Sequence, residues 1–572
     1  MVLKKSPKVN IKLMKRLSII LLLTLTLLPL RAANEALQAV INIITYKADG
    51  SILGSGYGFY IAEDGTAVAP YGLFNGAHRA DVIDNKGKKS QVHRILGASS
   101  TLDIVKFNTT AKKPHFLTPD TAMAKNGSAL NLLFYTNDKK AKPVAATITR
   151  ADTYAGYGYY TVSAPNEDRY QGCPLTNADG NVVAIVQKNV SRDATTACAL
   201  DIRSVQDLHI SSLSFAVADL KSIRMPKALP NDESNALTFL YMMNPADSAL
   251  AEIAYADFIA AYPDNADGYV SRANFHATYG RYDLCEADYE QALQRGSSQA
   301  ETHYALSKTI YTHAVAKPAG FRENWTLERA EAEAARAFEL QPHPLYALQQ
   351  GNCHFALQQY DRAAEHFEKA CHMYDTLSQG GGASPENYFY AARSLELAGG
   401  DSLRVLALLD SAVARCAKPY TPASARFLLE RAQRLMSLGE YRKAVFDYND
   451  YERAIGADKM GDRFFYLREQ AEIEARMYQQ ALDDIRSAIT LNPSEMLYRI
   501  EEALILLRAG LFDEAIKAAQ NTLTLLPENP DCYKIIGIAH GELGHKAQAV
   551  EALKKAIELG DETAQPFLQK YQ

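Results

Sequence analysis

The sequence has little that would bind a metal, a nucleotide or a nucleic acid. Its 572 residues include only 7 cysteines and 13 histidines, and neither type occurs at the spacing of a zinc site. It also has no phosphate-binding P-loop, no GxGxxG motif ahead of a helix and no HExxH motif. We therefore expect no metal and no cofactor.

The charge is unevenly distributed along the chain. The net charge is -5, yet the first 33 residues carry seven basic side chains and no acidic one. Residues 34–224 sum to about +3 and residues 225–572 to about -15. Because phosphate binding needs clustered Lys and Arg, this acidic C-terminal part excludes nucleic acid as its expected partner.

The N-terminal segment has the pattern of an export signal. An apolar run from Leu17 to Leu30 follows basic residues and precedes the small residues Ala32 and Ala33. The run is shorter than the roughly 20 residues of a membrane span. The pattern predicts a signal peptide over residues 1–33 and an exported protein, periplasmic or secreted, without a stable membrane span after cleavage. The alternative is an uncleaved anchor helix.

The seven cysteines leave their oxidation state open. Export permits disulfides, but an odd number leaves at least one thiol unpaired. Cys173 and Cys198 are the one candidate pair. The alternative, small buried apolar residues, applies to most of the seven.

The C-terminal 340 residues contain an internal repeat. Small residues recur between aromatic ones, at intervals that range from 33 to 45 residues and are repeatedly 34. The recurring positions are Ala251, Cys285, Ala330, Ala363, Val405, Ala444, Ala481, Ala515 and Ala549. A 34-residue unit of two helices is the tetratricopeptide spacing, in which small residues lie where paired helices cross.

Residues 233–572 therefore resemble the tetratricopeptide repeat family. The resemblance implies an all-α solenoid of about nine helix pairs and a C-terminal cap helix near residues 562–571. Glu469 and Val405 depart from the pattern, since each stands where a smaller residue is usual.

The family's peptide-binding position implies a set of amides on the first helices. The matching residues are Asn274, Asn352, Gln433 and Gln470. Amides can donate to and accept from a peptide main chain, so these four are the predicted peptide-binding residues. The alternative is an exposed, solvated polar face. The acidic charge favours a basic or apolar protein or peptide partner, and self-association through the repeats is a further possibility.

Residues 34–224 have a different sequence pattern, in which short apolar runs alternate with Gly, Asp and Asn residues typical of turns. About nine strands are predicted, which indicates an all-β barrel or sandwich. They are Ala39–Tyr46, Tyr57–Ala62, Thr66–Pro70, Asp103–Phe107, Ala129–Phe134, Ala145–Thr149, Tyr159–Val162, Val182–Gln187 and Ala197–Ile202.

Three segments of this region are specific. They begin at Gly58 (GFYIAEDGTAVAPYG), Leu102 (LDIVKF) and Gln171 (QGCPLTNADGNVVAI). Together they resemble the trypsin-like serine peptidases of the HtrA/Deg type. The resemblance implies an all-β double barrel over residues 34–224, joined by a linker over residues 225–232 to the repeats over residues 233–572.

The positions that match the catalytic residues of that family are altered. The histidine position is Gly72, the aspartate is Asp103, and the nucleophile is Gln171. Arg169 stands where a glycine shapes the oxyanion loop. A triad needs an attacking hydroxyl or thiol and an imidazole, so the sequence predicts a pseudoprotease that serves as a binding or scaffold protein.

The alternative is an active serine endopeptidase with a relocated triad. Its candidate substitutes are His78, Cys173 and Ser163. Catalysis needs side chains placed to within a fraction of an ångström, which makes such a rebuilt triad the lesser expectation.

Overall fold

A computed structural model describes residues 35–138, 140–188, 193–243, 247–296, 299–377 and 382–572. The predicted signal peptide, residues 1–33, lies outside these ranges. The chain forms two compact units that divide between residues 298 and 299.

Two closed antiparallel barrels form the first part of the chain. The strand order is β1-β2-β3-β6-β5-β4 in the first barrel and β10-β11-β12-β9-β8-β7 in the second. The strands are β1 Val40–Tyr46, β2 Ile52–Tyr60, β3 Thr66–Ala69, β4 Arg79–Ile83, β5 Lys89–Ser99, β6 Ile104–Thr109, β7 Ala129–Leu132, β8 Val144–Tyr154, β9 Tyr157–Ser163, β10 Pro174–Thr176, β11 Val182–Val186 and β12 Thr196–Asp201. The predicted all-β double barrel is confirmed.

Three of these strands were not predicted: β4, β5 and β10. β5 combines charged residues with Gly97 and carries two bulges, so its apolar alternation is broken. Gly97 is required by a close approach of the chain, because a Cβ there would lie 2.6 Å from the Leu208 carbonyl carbon. β4 and β10, of five and three residues, are too short for a periodic signal.

Helices make up nearly all of the ordered structure after the barrels. A short helix α1 (Ala218–Ser222) precedes nine helix pairs and a final helix α20 within the described residues. The pairs are α2 Glu233–Tyr241 and α3 Ser248–Ala261, α4 Ala266–Thr278 and α5 Tyr282–Leu293, α6 Gln299–Ala316 and α7 Leu327–Leu340, α8 Pro344–Ala356 and α9 Tyr360–Leu377, α10 Pro385–Leu397 and α11 Ser402–Ala414, α12 Pro422–Ser437 and α13 Tyr441–Ile455, α14 Asp462–Glu474 and α15 Tyr478–Leu491, α16 Met496–Arg508 and α17 Phe512–Leu523, and α18 Pro530–Glu542 and α19 Lys546–Glu558; α20 is Gln565–Tyr571. The predicted all-α solenoid after the barrels is confirmed.

The small residues of the repeat lie where paired helices touch. All nine recurring positions are at most 2% exposed, and each lies on the second helix of its pair. The facing first helices also carry small residues. At Gly351 an added Cβ would lie 2.8 Å from the ring of Phe367, and at Gly537 it would lie 2.6 Å from Leu553. The spacing in the sequence thus reflects close helix crossing.

The first barrel and the first helices share one apolar core within the first compact unit. Phe239 of α2 and Phe258 of α3 are buried in the same cluster as the barrel residues Ile41 and Phe107. The segment predicted as a linker is paired with β5, because Ile95 N–H donates to Pro226 O and Ala228 N–H donates to Ile95 O, both at 2.9 Å. The predicted domain boundaries stay predictions, and the compact unit extends beyond residue 232.

The candidate disulfide Cys173–Cys198 is wrong, since all seven cysteines are free thiols. Cys173 is fully buried, and its Sγ lies 3.7 Å from the carbonyl oxygen of Arg169. Cys198 lies on β12, where its backbone pairs with Thr161 of β9. Cys173 behaves as the small buried residue of the alternative interpretation.

Candidate functional site

A cleft in the first unit brings together the three positions that match a catalytic triad. Gly72, Asp103 and Gln171 line a cavity of about 660 Å³. Its other described lining residues are Asn42, Ser55, Gly56, Tyr57, Pro70, Leu73, Asp168, Arg169 and Lys188. These described lining residues include one serine, Ser55, but no histidine and no cysteine.

Asp103 is held against the backbone at the histidine position. The Gly72 N–H donates to Asp103 Oδ1 at 2.8 Å, and Asp103 has a left-handed backbone with φ of 46°. Burial raises the pKa of Asp103, while the N–H donors of Gly72 and Tyr71 and the charge of Lys188 act in the opposite direction. The Asp103 carboxylate thus accepts from the backbone at the position where the resemblance implies an imidazole, and Gly72 has no side chain to pair with it.

The loop at the nucleophile position is folded into a tight turn. Residues Asp168–Tyr170 form a 3-10 turn, and the Gln171 N–H donates to Asp168 O at 3.2 Å. Gly172, at φ 79°, lies so close to β2 that an added Cβ would be 2.2 Å from Tyr57 O. In an oxyanion hole the N–H of the nucleophile residue points to the reacting oxygen. In this turn that N–H already has an acceptor.

None of the three candidate substitutes lines the cleft. His78 is exposed, and its backbone N–H donates to Tyr46 O at 2.9 Å. Burial raises the pKa of the fully buried Cys173 to about 12, which opposes thiolate formation. Ser163 lies at the end of β9, where its Oγ accepts from Thr147 N–H at 3.2 Å.

The four predicted peptide-binding amides all lie on first helices: Asn274 on α4, Asn352 on α8, Gln433 on α12 and Gln470 on α14. Asn274 and Gln433 are exposed, and the other two are half-buried. The Tyr289 hydroxyl donates to Asn274 Oδ1 at 2.7 Å, so this amide also links α4 to α5.

Sequence reasoning missed a second recurring feature of the same helices. An arginine two residues before the amide position binds an aspartate on the paired second helix, 16 residues later, through two hydrogen bonds. The pairs are Arg272–Asp288, Arg431–Asp447 and Arg468–Asp484, with distances of 2.6–2.8 Å. The recurrence of Arg and Asp at a spacing of 16 was the available signal. These bidentate pairs fix the two helices against each other.

The described ranges hold neither a metal-binding cluster nor a membrane-spanning helix. No group of three or more His, Cys, Asp or Glu residues there is arranged to hold a metal ion. No helix in the same ranges is both long enough and apolar enough to cross a membrane.

Two segments of the helical part match a known family. A family profile described as tetratricopeptide repeat matches residues 327–378 and 470–530. The helices within these two segments are tetratricopeptide repeats. A curated relative, Superkiller complex protein 3 of Mus musculus, is 24% identical over 316 residues. That match covers 53% of this chain but spans only 19% of the length of the relative.

Solved protease structures resemble about a third of this chain. The active form of the Rv3671c protease from M. tuberculosis is 20% identical, covering 32% of this chain and 82% of its own, with a TM-score of 0.27. A serine endoprotease from Yersinia pestis is 14% identical, covering 30% of this chain and 64% of its own, also with a TM-score of 0.27. The trypsin-like double-barrel fold is assigned from the two closed six-stranded barrels.

Proposed function

We propose that this chain is an exported scaffold protein whose tetratricopeptide helices hold a protein or peptide partner. The trypsin-like barrels contribute no hydrolysis in this proposal, and the chain is a pseudoprotease. The partner is basic or apolar, because residues 225–572 carry a net charge of about -15.

One observation supports the proposed loss of catalysis. The cleft positions that need an imidazole and a nucleophile hold Gly72 and Gln171, and the Gln171 N–H is hydrogen-bonded within its own turn. Both the attack and the stabilisation of the oxyanion therefore lack their groups. Asp103 then has a structural role, accepting from the Gly72 N–H.

Binding through the repeats is supported by the placement of the four amides. They recur at one first-helix position, and two of them are exposed, as hydrogen bonding to an extended main chain requires. Asn274 differs from the others because it also accepts from Tyr289.

The binding role is tested with the full chain as bait in an envelope extract. We expect a reproducible partner that is lost when Asn352, Gln433 and Gln470 are changed to Ala. Asn274→Ala is added only in a second variant, because it also removes the bond to Tyr289. The matched control changes exposed amides outside the first helices (Gln294, Gln520, Asn521 and Gln548) to Ala. Equal capture by the triple variant and the control would contradict the amide proposal.

Export is tested by N-terminal sequencing of the protein purified from its native cells. The expected mature chain begins just after Ala32 or Ala33. A chain that retains residues 1–33 and stays with the membrane would contradict cleavage.

A further inference from the structure

The second compact unit contains a cavity between two consecutive first helices. It has a volume of about 130 Å³ and is formed by α10 and α12, with α11 behind them. Gln433, one of the predicted peptide-binding amides, lies on its lining. We call this space the α10–α12 cavity.

The inner wall of the α10–α12 cavity is apolar. Val405 and Leu409 of α11 are 2% and 4% exposed, and Ala392 of α10 is 1% exposed. Phe389 adds a half-buried ring to the same lining. Such a wall can pack against methylene groups, but it offers no hydrogen-bonding partner to a polar head group.

The charged residues of the cavity are not equivalent. Glu396 is paired twice, with Arg393 at 2.6 Å and with Arg434. Both arginines of the lining therefore share one carboxylate, that of Glu396. Glu430 is half-buried and has no ion pair or hydrogen bond to its side chain within the described residues. One carboxylate is thus left to interact with whatever enters.

We propose that the α10–α12 cavity holds a lysine or arginine side chain of the bound partner. The methylene groups of that side chain pack on Val405, Leu409 and Phe389, and its cationic end pairs with Glu430. The Gln433 amide, one turn from Glu430 on α12, is placed to bind the adjacent main chain of the partner. This inference rests on the proposed function and adds the chemistry of one residue of the partner.

Other side chains fit the cavity less well. An acidic side chain would meet the unpaired Glu430, and to gain an ion pair it would have to compete with Glu396 for Arg393 or Arg434. A purely aliphatic side chain would cover the apolar wall but remove water from the Glu430 carboxylate without replacing it. A cationic side chain with an aliphatic stem satisfies both parts of the lining, and it agrees with the acidic charge of the repeats.

The test uses acetylated and amidated nonapeptides that are identical except at the central residue. That residue is arginine, its neutral isostere citrulline, lysine or norleucine, and binding to the full chain is measured by fluorescence polarisation. We expect the arginine peptide to bind about tenfold more tightly than the citrulline peptide. Glu430→Gln should remove that preference, and Glu430→Lys should replace it with a preference for a central glutamate over glutamine.

The control is Glu514→Gln, which removes one exposed acidic charge on α17 outside the cavity. It should keep the preference for arginine over citrulline. An unchanged preference in Glu430→Gln, equal binding of citrulline and arginine, or no binding of any peptide at about 1 mM would overturn the assignment. Partner capture that survives Glu430→Gln leaves the proposed function standing while the cavity assignment fails.

Discussion

At the scale of single residues, two glycines of the second barrel share a left-handed backbone but differ in what an added methyl group would contact. Gly172 and Gly180 have φ of 79° and 85°, but an added Cβ meets Tyr57 O at 2.2 Å in the first and nothing within 4 Å in the second. Gly180→Ala should therefore cost about 1 kcal/mol from the left-handed backbone. Gly172→Ala should cost about 3 kcal/mol or more, because the turn at Gln171 must also move away from β2.

Urea unfolding followed by circular dichroism measures the two losses. A difference of about 2 kcal/mol between the two variants is expected. Equal losses would show that the turn at Gln171 is not held against β2.

Glu469 makes the stability of its repeat depend on pH. The side chain is 0% exposed, and neither carboxylate oxygen has a hydrogen-bond partner within the described residues. Burial, with the nearby charges of Glu501 and Glu472, raises its pKa to about 8. Because the folded state favours the protonated form, stability falls as pH rises from the unfolded pKa near 4.5 to about 8.

Glu469→Gln should remove this loss. Relative to wild type, the variant should gain on the order of 2–4 kcal/mol between pH 5 and pH 8. The control is Glu474→Gln, an exposed position on the same helix α14. Urea unfolding at several pH values measures the difference. A gain that is independent of pH would contradict the protonated, buried state of Glu469.

The altered triad positions can be identified from the sequence, but the geometry of the cleft cannot. Gly72 and Gln171 follow from matching short segments, residue by residue. The hydrogen bond from Gln171 N–H to Asp168 O depends on backbone angles of one turn, which local composition does not determine. Likewise, Glu430 is unpaired because Arg393 and Arg434 both pair with Glu396, and the sequence does not show which carboxylate an arginine contacts.

At the scale of helices, the recurring Arg–Asp pair fixes the two members of a repeat. Asp447 is 4% exposed and accepts two hydrogen bonds from Arg431, at 2.7 and 2.8 Å. Asp447→Ala should cost about 3 kcal/mol, because it removes two of the three hydrogen bonds of a largely buried guanidinium and leaves only the one to the exposed Asp410. Arg431→Met combined with Asp447→Leu should recover most of that loss.

The matched control is the pair Arg486–Glu502, which has the same spacing of 16 residues but lies nearer the surface, with Arg486 49% exposed. Glu502→Ala should cost less than about 1 kcal/mol. Comparable losses for Asp447→Ala and Glu502→Ala in urea unfolding would contradict the role of burial.

Helices were easier to predict than strands for a physical reason. Ala363, Ala444 and Ala481 mark helix crossings because a larger side chain there would hold two backbones apart, so their spacing is visible directly. β5 lacks such a constraint, since its bulges shift the inward-facing residues and its ends carry lysine and serine. The bidentate Arg–Asp pairs were missed because their two members are far apart in sequence.

At the scale of the whole molecule, the first compact unit joins barrel and helices through one core. Phe239 of α2 is 1% exposed, and its ring centroid lies 4.4 Å from that of Phe215. Arg94 of β5 donates to both carboxylate oxygens of Asp257 on α3, at 2.6 and 2.8 Å. The first helices therefore stabilise the first barrel and are not an independent folding unit.

Phe239→Ala should cost about 3 kcal/mol by leaving a cavity in this shared core. Amide hydrogen exchange should then accelerate in β1–β6 as well as in α2. The control is Phe367→Ala, which removes a ring of similar burial from the second unit and should leave exchange in β1–β6 unchanged. Acceleration limited to α2 would contradict the shared core.

Lack of hydrolytic activity is the central property of the proposed pseudoprotease. The direct measurement is fluorophosphonate labelling of the folded full chain, together with mass spectrometry of a peptide library incubated with it, and trypsin as the positive control. A pseudoprotease should show no labelled residue and no new peptide ends. Labelling of one residue in the folded chain, lost on unfolding and accompanied by cleavage, would contradict it.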